Sequence, residues 1–435
     1  MLIRNPQSSR TEYPDELKAI LSMEAAADCR TSMGQWSHLR QDGTPLWQLP
    51  GLASRFGIAQ LAVKDESFRS DLGSFKALGA PAALICLLRR LNPELIAEHL
   101  LSGRCRQQMR AVTVISATDG NHGRALAAAA QSVGCNCVIV LHAKVSKERE
   151  EAISAFGATI VRIDGNYDDS VNTAARMAAD NGWHVVSDTS YEGYEAIPRD
   201  VMQGYGTIAA EVIEQLQEDG QEPFTHVFLQ GGVGGLAAGF ASYFWEYYGK
   251  DRPRFVVVEP EQADCLYRSA LAGAPCRASG SVDSVMAGLA CGEASPLAWK
   301  ILAPVIDDFM TVCDVDAVLA MQALAKGSSR DVPIVAGESG AAGLAGLQCL
   351  LADEALAKAA GLGPQSRVLL INTEGATARQ VYERLVSEPA ESVARRQAVW
   401  LSAVSTGRAD TVGANCCPAC AWPLSGATHS SAALS

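Results

Sequence analysis

From about residue 110 the chain alternates short apolar runs with amphipathic stretches. AVTVISA (111–117), NCVIVL (136–141), ATIVRI (158–163) and WHVVSD (183–188) are short and rich in β-branched residues, so they predict strands. GRALAAAAQSVG, SKEREEAISAFG and DDSVNTAARMAADNG lie between them and predict helices. Strand, helix, strand in this order means a parallel α/β sheet. A second series follows: IAAEVIEQLQED as helix, THVFLQ (225–230) as buried strand, GGVGG (231–235) as tight turn, LAAGFASYFWEYYG as helix, then RFVVVEP (254–260) and RVLLINTEG (367–375) as strands. Upstream, PDELKAILSMEAAADCRTS is helix-like, and the Thr-Pro and Leu-Pro steps of DGTPLWQLPGL favour an extended path. LAVK (61–64) reads as a strand, DESFRSD as a polar turn and SFKALGAPAALICLLRRL as a helix. Two open α/β units emerge, with ligand expected between them at the carboxyl ends of the strands. The smaller, 79–205, would be inserted into a larger one built from 1–78 and 206–390. Residues 391–435 are rich in small side chains and lose the strand and helix rhythm, which predicts a poorly ordered tail.

Composition narrows the class. The chain has 435 residues, 48% hydrophobic and 19% charged, enough for two domains around a large core. Its net charge of -12 has no compensating basic block, so the protein's field repels nucleic acid and anionic membranes. No apolar run reaches the roughly 18 residues of a membrane helix, and MLIRNPQSSRTEYPDE lacks the basic-then-apolar order of a signal peptide, so a soluble, cytoplasmic protein is expected. The odd count of thirteen cysteines suits reduced thiols, with Cys265 and Cys291 kept as a candidate pair. Cys416, Cys417 and Cys420 lack an obvious fourth ligand, and no metal site is expected.

The chemistry starts from Lys76, near the start of a helix and about 155 positions before the GGVGG turn. Helix starts collect anions, and glycines let a backbone approach a phosphate closely. A lysine able to form a Schiff base together with a separate phosphate cup is what pyridoxal 5'-phosphate requires. SATDGNHGRALA (116–127) sits where a strand meets a helix, so its backbone N–H groups, with Ser116 and Thr118, are candidates to hold a substrate carboxylate. Asn121 is placed to donate to the cofactor's phenolic oxygen. Asp119 reads equally as a base facing the substrate or as a cap for the helix that follows. His122 reads as a structural contact. Asp188 ends the strand WHVVSD, and its functional reading depends on sharing one cleft with Asp119. Tyr191, Glu192, Tyr194 and Glu195 fit either a pocket wall or a solvated turn. Glu259 follows RFVVVEP about where a dinucleotide-binding fold carries its ribose acid, which keeps a nicotinamide reading open.

Taken together, DGTPLWQLP, KDESFRSDLGSFKALG, SATDGNHG, SDTSYEGYEAIP with MQGYGT, GGVGG, MAGLACGEASPLAW and AGESGAAGLAG resemble the pyridoxal-phosphate fold type II family. Within it they are similar to the diaminopropionate ammonia-lyases, from about residue 43 to 386; the Asp before the Gly of the substrate loop and the later SDTSYEGYEAIP carry that narrower likeness. The resemblance implies two mostly parallel α/β domains with the cofactor between them, and a homodimer. It implies that Lys76 carries the cofactor beside Phe75, and that Asn121 contacts its phenolic oxygen. Gly231, Gly232, Val233, Gly234 and Gly235 would hold its phosphate, and Asp119 and Asp188 would read the substrate's two amino groups. The implied reaction is α,β-elimination of 2,3-diaminopropionate to 2-aminoacrylate, which hydrolyses to pyruvate and a second ammonia. Both enantiomers would be accepted, with Lys76 taking the α-proton on one face and Asp119 on the other. Lysine serves as a base near neutral pH only with a depressed pKa. The family run Ser-Thr-Glu-Gly-Asp-Thr-Asp is here INTEGATARQ (371–380), with Ala376 and Ala378 in place of acids and Thr373 left as a neutral partner for the ring nitrogen. The alternatives are a serine or threonine dehydratase or other β-eliminating or β-replacing lyase of the same fold, and a non-catalytic ligand-binding relative.

Overall fold

The computed structural model describes residues 1–118, 120–165 and 167–405. Its strands are β1 (Leu2–Arg4), β2 (Leu46–Gln48), β3 (Gln60–Asp65), β4 (Thr113–Ala117), β5 (Asn136–His142), β6 (Thr159–Ile163), β7 (His184–Val185), β8 (His226–Gln230), β9 (Arg254–Pro260), β10 (Asp308–Val312) and β11 (Arg367–Asn372). They form a seven-stranded sheet in the order β1-β10-β9-β8-β11-β3-β2 and a four-stranded sheet in the order β6-β5-β4-β7. The small sheet is wholly parallel. The large one is parallel except at its edges, where β1 and β2 run against β10 and β3. Parallel strands need both faces covered, and helices cover them here: β8 and β9 are buried almost throughout.

Two helices carry the chain between the sheets. The Lys76–Leu91 helix leaves the large sheet after β3, and the 23-residue Ala196–Glu218 helix returns to it. Glycines let them meet closely: a Cβ on Gly204 would stand 2.2 Å from the carbonyl oxygen of Leu78. One on Gly239, in the Gly235–Tyr248 helix, would stand 2.3 Å from that of Met202. The lysine's helix and the Gly235–Tyr248 helix therefore both pack backbone to backbone on the Ala196–Glu218 helix.

Several expectations change. DESFRSD is not a solvated turn, because Asp65, Glu66 and Arg69 are buried along with Lys64. Lys64 Nζ donates to Glu211 (2.7 Å) and to the Thr44 carbonyl (2.8 Å), while Arg69 pairs with Glu66 (2.8 Å) and Glu211 (2.6 Å). Opposite charges supplied by one long helix let this charged string enter the core. The stretch from 391, expected to be poorly ordered, is helical as far as Ser405. Val393 is buried, Gln397 Nε2 donates to Pro333 O (2.9 Å) and Trp400 Nε1 to Ser328 O (3.1 Å). That helical spacing was masked by the small-residue composition around it. Cys416, Cys417 and Cys420 lie outside the described residues. Strand β10, DFMTV, was not anticipated; its Asp308 breaks the apolar pattern but is paired with Arg254 at 2.5 Å. The strand expected over 183–188 is paired only at His184 and Val185. Among the described residues no helix is long and apolar enough to cross a membrane, and no cluster of ligating side chains could hold a metal ion.

Candidate active site

The cleft lies where β3, β4, β8 and β11 end. Lys76 is the first residue of its helix, and the chain before it is pinned to the end of β11: Phe75 N–H donates to Thr373 O (3.0 Å), and Ser74 bridges to Glu374. From there Lys76 Nζ reaches Asp188 Oδ2 at 2.5 Å. Burial alone would push the Lys76 ammonium down, but the adjacent carboxylate of Asp188 overcomes this and holds it well above the usual lysine value. Burial likewise opposes the Asp188 charge, yet Lys76 and then His122 hold its carboxyl well below the usual range. The depressed lysine pKa that a base requires is therefore not a property of this pair.

His122 is a structural contact on one side and open on the other. Its Nε2 meets the Val186 carbonyl at 2.9 Å, which calls for a proton on that nitrogen, and its buried Nδ1 stands 3.8 Å from Asp188 Oδ2 without a hydrogen bond. Burial pushes the imidazole's pKa down despite Asp188. Above Lys76, the Phe75 ring centroid is 5.1 Å and the Tyr205 ring centroid 5.9 Å from Nζ. Tyr205 is buried, and burial raises its hydroxyl far above the ordinary tyrosine value.

Opposite Lys76 is the glycine turn. Gly231 N–H is committed to the Val258 carbonyl (2.9 Å), and the first bond of the following helix runs from Ala238 N–H to Gly234 O (2.9 Å). The N–H groups of Gly232, Val233, Gly234 and Gly235 are thus the free donors of a helix start. Gly231, Gly232, Val233 and Gly235 line the cleft; Gly234 packs toward Leu302 and Ala298. Gly232 has φ +67°, and a Cβ on Gly231 would stand 2.4 Å from Glu259 Cγ. Glu259 itself is fully buried, accepting from Leu266 N–H (3.0 Å) and Tyr267 N–H (2.7 Å), so it caps the Cys265–Ala272 helix and is closed to any ribose. Burial pushes its carboxyl up to about 8. Cys265 and Cys291 are not joined as a disulfide; the Cys265 thiol donates to Gly232 O (3.4 Å).

Thr118 and Asn121 line the cleft from the small sheet's side. Thr118 Oγ1 accepts from the N–H groups of Gly120 (3.1 Å) and Gly123 (3.2 Å), which caps the Asn121–Val133 helix. Ser116 does not line the cleft: it is buried within β4, its hydroxyl directed to Ala117 O (3.3 Å). Asp119 lies outside the described residues. Thr373 is buried at the cleft wall beside Glu374, a carboxylate that sequence reasoning passed over while attending to Ala376 and Ala378. Glu374 accepts a short hydrogen bond from Asn121 Nδ2 and another from Ser339 N–H (3.2 Å). Burial and then the Glu374 carboxylate push Glu338 up to about 7. Ala376 and Ala378 do not line this cleft; Ala378 is the buried residue preceding the Arg379–Val386 helix. Tyr191 and Tyr194 stack with ring centroids 4.8 Å apart, outside the lining.

A lysine, a helix-start glycine turn and a buried neutral hydroxyl around one cleft is the donor set of a phosphorylated aldehyde cofactor, and comparison with known proteins agrees. The family model of pyridoxal-phosphate dependent enzymes matches residues 39–374. The diaminopropionate ammonia-lyase of Escherichia coli strain K12 is 41% identical over 357 residues, covering 81% of this chain and 89% of the relative. Holo diaminopropionate ammonia lyase from Escherichia coli superposes with a TM-score of 0.80 at 36% identity, covering 89% of this chain and 96% of that one. The same enzyme in complex with an aminoacrylate-PLP azomethine reaction intermediate superposes with a TM-score of 0.80 at 37% identity, with the same coverage. This chain belongs to the pyridoxal-phosphate dependent enzymes of fold type II and, within them, to the diaminopropionate ammonia-lyase family.

Proposed function

We propose that this chain binds pyridoxal phosphate through Lys76 and eliminates ammonia from 2,3-diaminopropionate. The released 2-aminoacrylate takes up water to give pyruvate and a second ammonia. The observation that carries the reading is the Lys76–Asp188 pair, 2.5 Å apart and facing the glycine turn. The residues present fit the cofactor: Gly232 takes φ +67° in the turn that lines the cleft, and the N–H groups of that turn would form an anion cradle. Bound there, pyridoxal phosphate supplies an electrophilic carbon for the substrate's α-amine and a ring that accepts the electron pair released at the α-carbon.

The chain's own residues divide the remaining work. Lys76 would anchor the cofactor, Phe75 and Tyr205 would wall its site, and Thr373 would be the neutral partner of its ring nitrogen. Asp188 is the acceptor for a substrate ammonium, and that ammonium competes with Lys76 for it. With Asp188 so engaged, the pull that opposes burial at Lys76 is weakened and its pKa is drawn down, which favours it as a base when substrate is present. Asp119 is assigned the second base, on the opposite face, which would extend the reaction to both enantiomers. A hydroxyl leaving group has no use for the Asp188 charge, which favours a diamine over serine or threonine. A homodimer working in the cytoplasm completes the reading.

Pyruvate release measured side by side on L- and D-diaminopropionate, L- and D-serine and L-threonine tests it. Diaminopropionate should have the highest kcat/KM. A clear preference for serine or threonine would reject the assignment in favour of a dehydratase.

A further inference from the structure

We infer that Glu374 is a positioning residue, which fixes the side-chain amide of Asn121 so that its nitrogen is offered to the ring oxygen of the bound cofactor. The inference rests on the reading of the cleft as a pyridoxal-phosphate site.

Glu374 follows β11 of the large sheet, and Asn121 opens the helix after β4 of the small one, 253 residues away in sequence. Their hydrogen bond crosses the cleft. A carboxylate only accepts, so the amide end that meets it is Nδ2, and the reversed amide would press two acceptors together where little water enters. Asn121 thereby spends one N–H on Glu374 and keeps the other for an acceptor in the cleft it lines.

Glu374 is itself held firmly enough to impose this. Its backbone oxygen accepts from Gly337 N–H (2.9 Å), Oε1 accepts from Ser339 N–H (3.2 Å), and Oε2 also accepts from Thr377 Oγ1 (3.4 Å). Its position is 5% exposed, so water is a poor substitute for the lost acceptor. A glutamine at 374 would present either its carbonyl oxygen or its amide NH2, leaving the Asn121 amide free to turn.

The test is a double-mutant cycle on the full-length chain stripped of cofactor, with pyridoxal phosphate affinity read by tryptophan quenching. The pH titration of the visible band of the bound cofactor gives a second readout. Glu374→Ala and Asn121→Ala should each weaken affinity about tenfold, the loss of one charge-assisted hydrogen bond. The double variant should be no weaker than Asn121→Ala alone, and Glu374→Gln should fall between wild type and Glu374→Ala. Wild-type affinity and an unshifted band in Glu374→Ala, or losses that multiply in the double variant, would overturn the inference. Should Glu374→Ala not fold, the cycle is run with Glu374→Gln, whose effect must vanish in the Asn121→Ala background; its persistence there would overturn the inference. Failure of the wild-type chain to bind pyridoxal phosphate would instead remove the functional reading, and this inference with it.

Discussion

Lys76 and Asp188 set each other's charge, and that coupling decides what a substitution at either does. Asp188→Asn removes the partner that holds the lysine up, so burial should dominate and Lys76 should titrate lower. We predict that this variant loses about a hundredfold or more in kcat/KM on diaminopropionate and much less on serine, while still binding cofactor; equal losses on both substrates would contradict the role given to Asp188. Glu259 makes a different prediction. Its carboxyl is pushed up to about 8 from an ordinary 4.5, so the folded chain keeps a proton that the unfolded chain sheds. The stability this provides is complete below about pH 4.5 and is lost as pH rises through about 8. Denaturant midpoints should fall between pH 6 and pH 9 in the wild type and fall less in Glu259→Gln; parallel slopes would refute it. Lys76, Asn121 and the glycine turn stand out in sequence in short strings, and the structure brings them to one cleft. Glu374 does not stand out there, because what singles it out is a contact across 253 positions. Ser116 belongs to the same string as Thr118 but lies buried in β4 outside the cleft lining, a placement that neighbours in sequence do not reveal.

At the scale of elements, glycine positions govern how closely the helices approach. Gly204→Ala would drive a methyl into the Leu78 carbonyl and push the Ala196–Glu218 helix off the helix that begins with Lys76. We expect a loss of about 1–3 kcal/mol or more in unfolding free energy, measured by urea titration, and a native-like midpoint would show that the helices can separate without cost. The buried network around Glu211 is the second structural hinge of this region. Glu211→Ala removes the carboxylate that Lys64 and Arg69 share, leaving Lys64 only neutral acceptors and Arg69 only the Glu66 carboxylate, and breaking such a buried pair costs about 3–5 kcal/mol, read as a lowered urea midpoint. The strand and helix alternation from 110 to 260 could be read directly, because apolar runs and amphipathic stretches differ in period. The buried fate of DESFRSD could not, because its partners come from a helix about 140 residues on. The helix Ala390–Ser405 was hidden for a simpler reason: composition was weighed over a window that diluted its Val393 and Gln397 spacing.

For the whole molecule, two sheets built from separate stretches of chain place their strand ends around one cleft, and each contributes part of its lining. The large sheet brings Lys76, the glycine turn, Thr373 and Glu374, while the small sheet and the chain leaving it bring Thr118, Asn121, His122 and Asp188. The Lys76–Asp188 and Glu374–Asn121 contacts both join these two sides. The fold class was readable from periodicity, whereas the three-residue edge strand β1 and its neighbour β10, whose apolar run opens on a buried Asp308, were not, since such strands are set by their neighbours in the sheet. Everything in this account passes through one side chain. Borohydride reduction of the chain with pyridoxal phosphate bound, followed by peptide mass mapping, tests that most directly. A single phosphopyridoxyl group on Lys76, absent from Lys76→Ala, is the predicted result, and a cofactor fixed to any other lysine would contradict it.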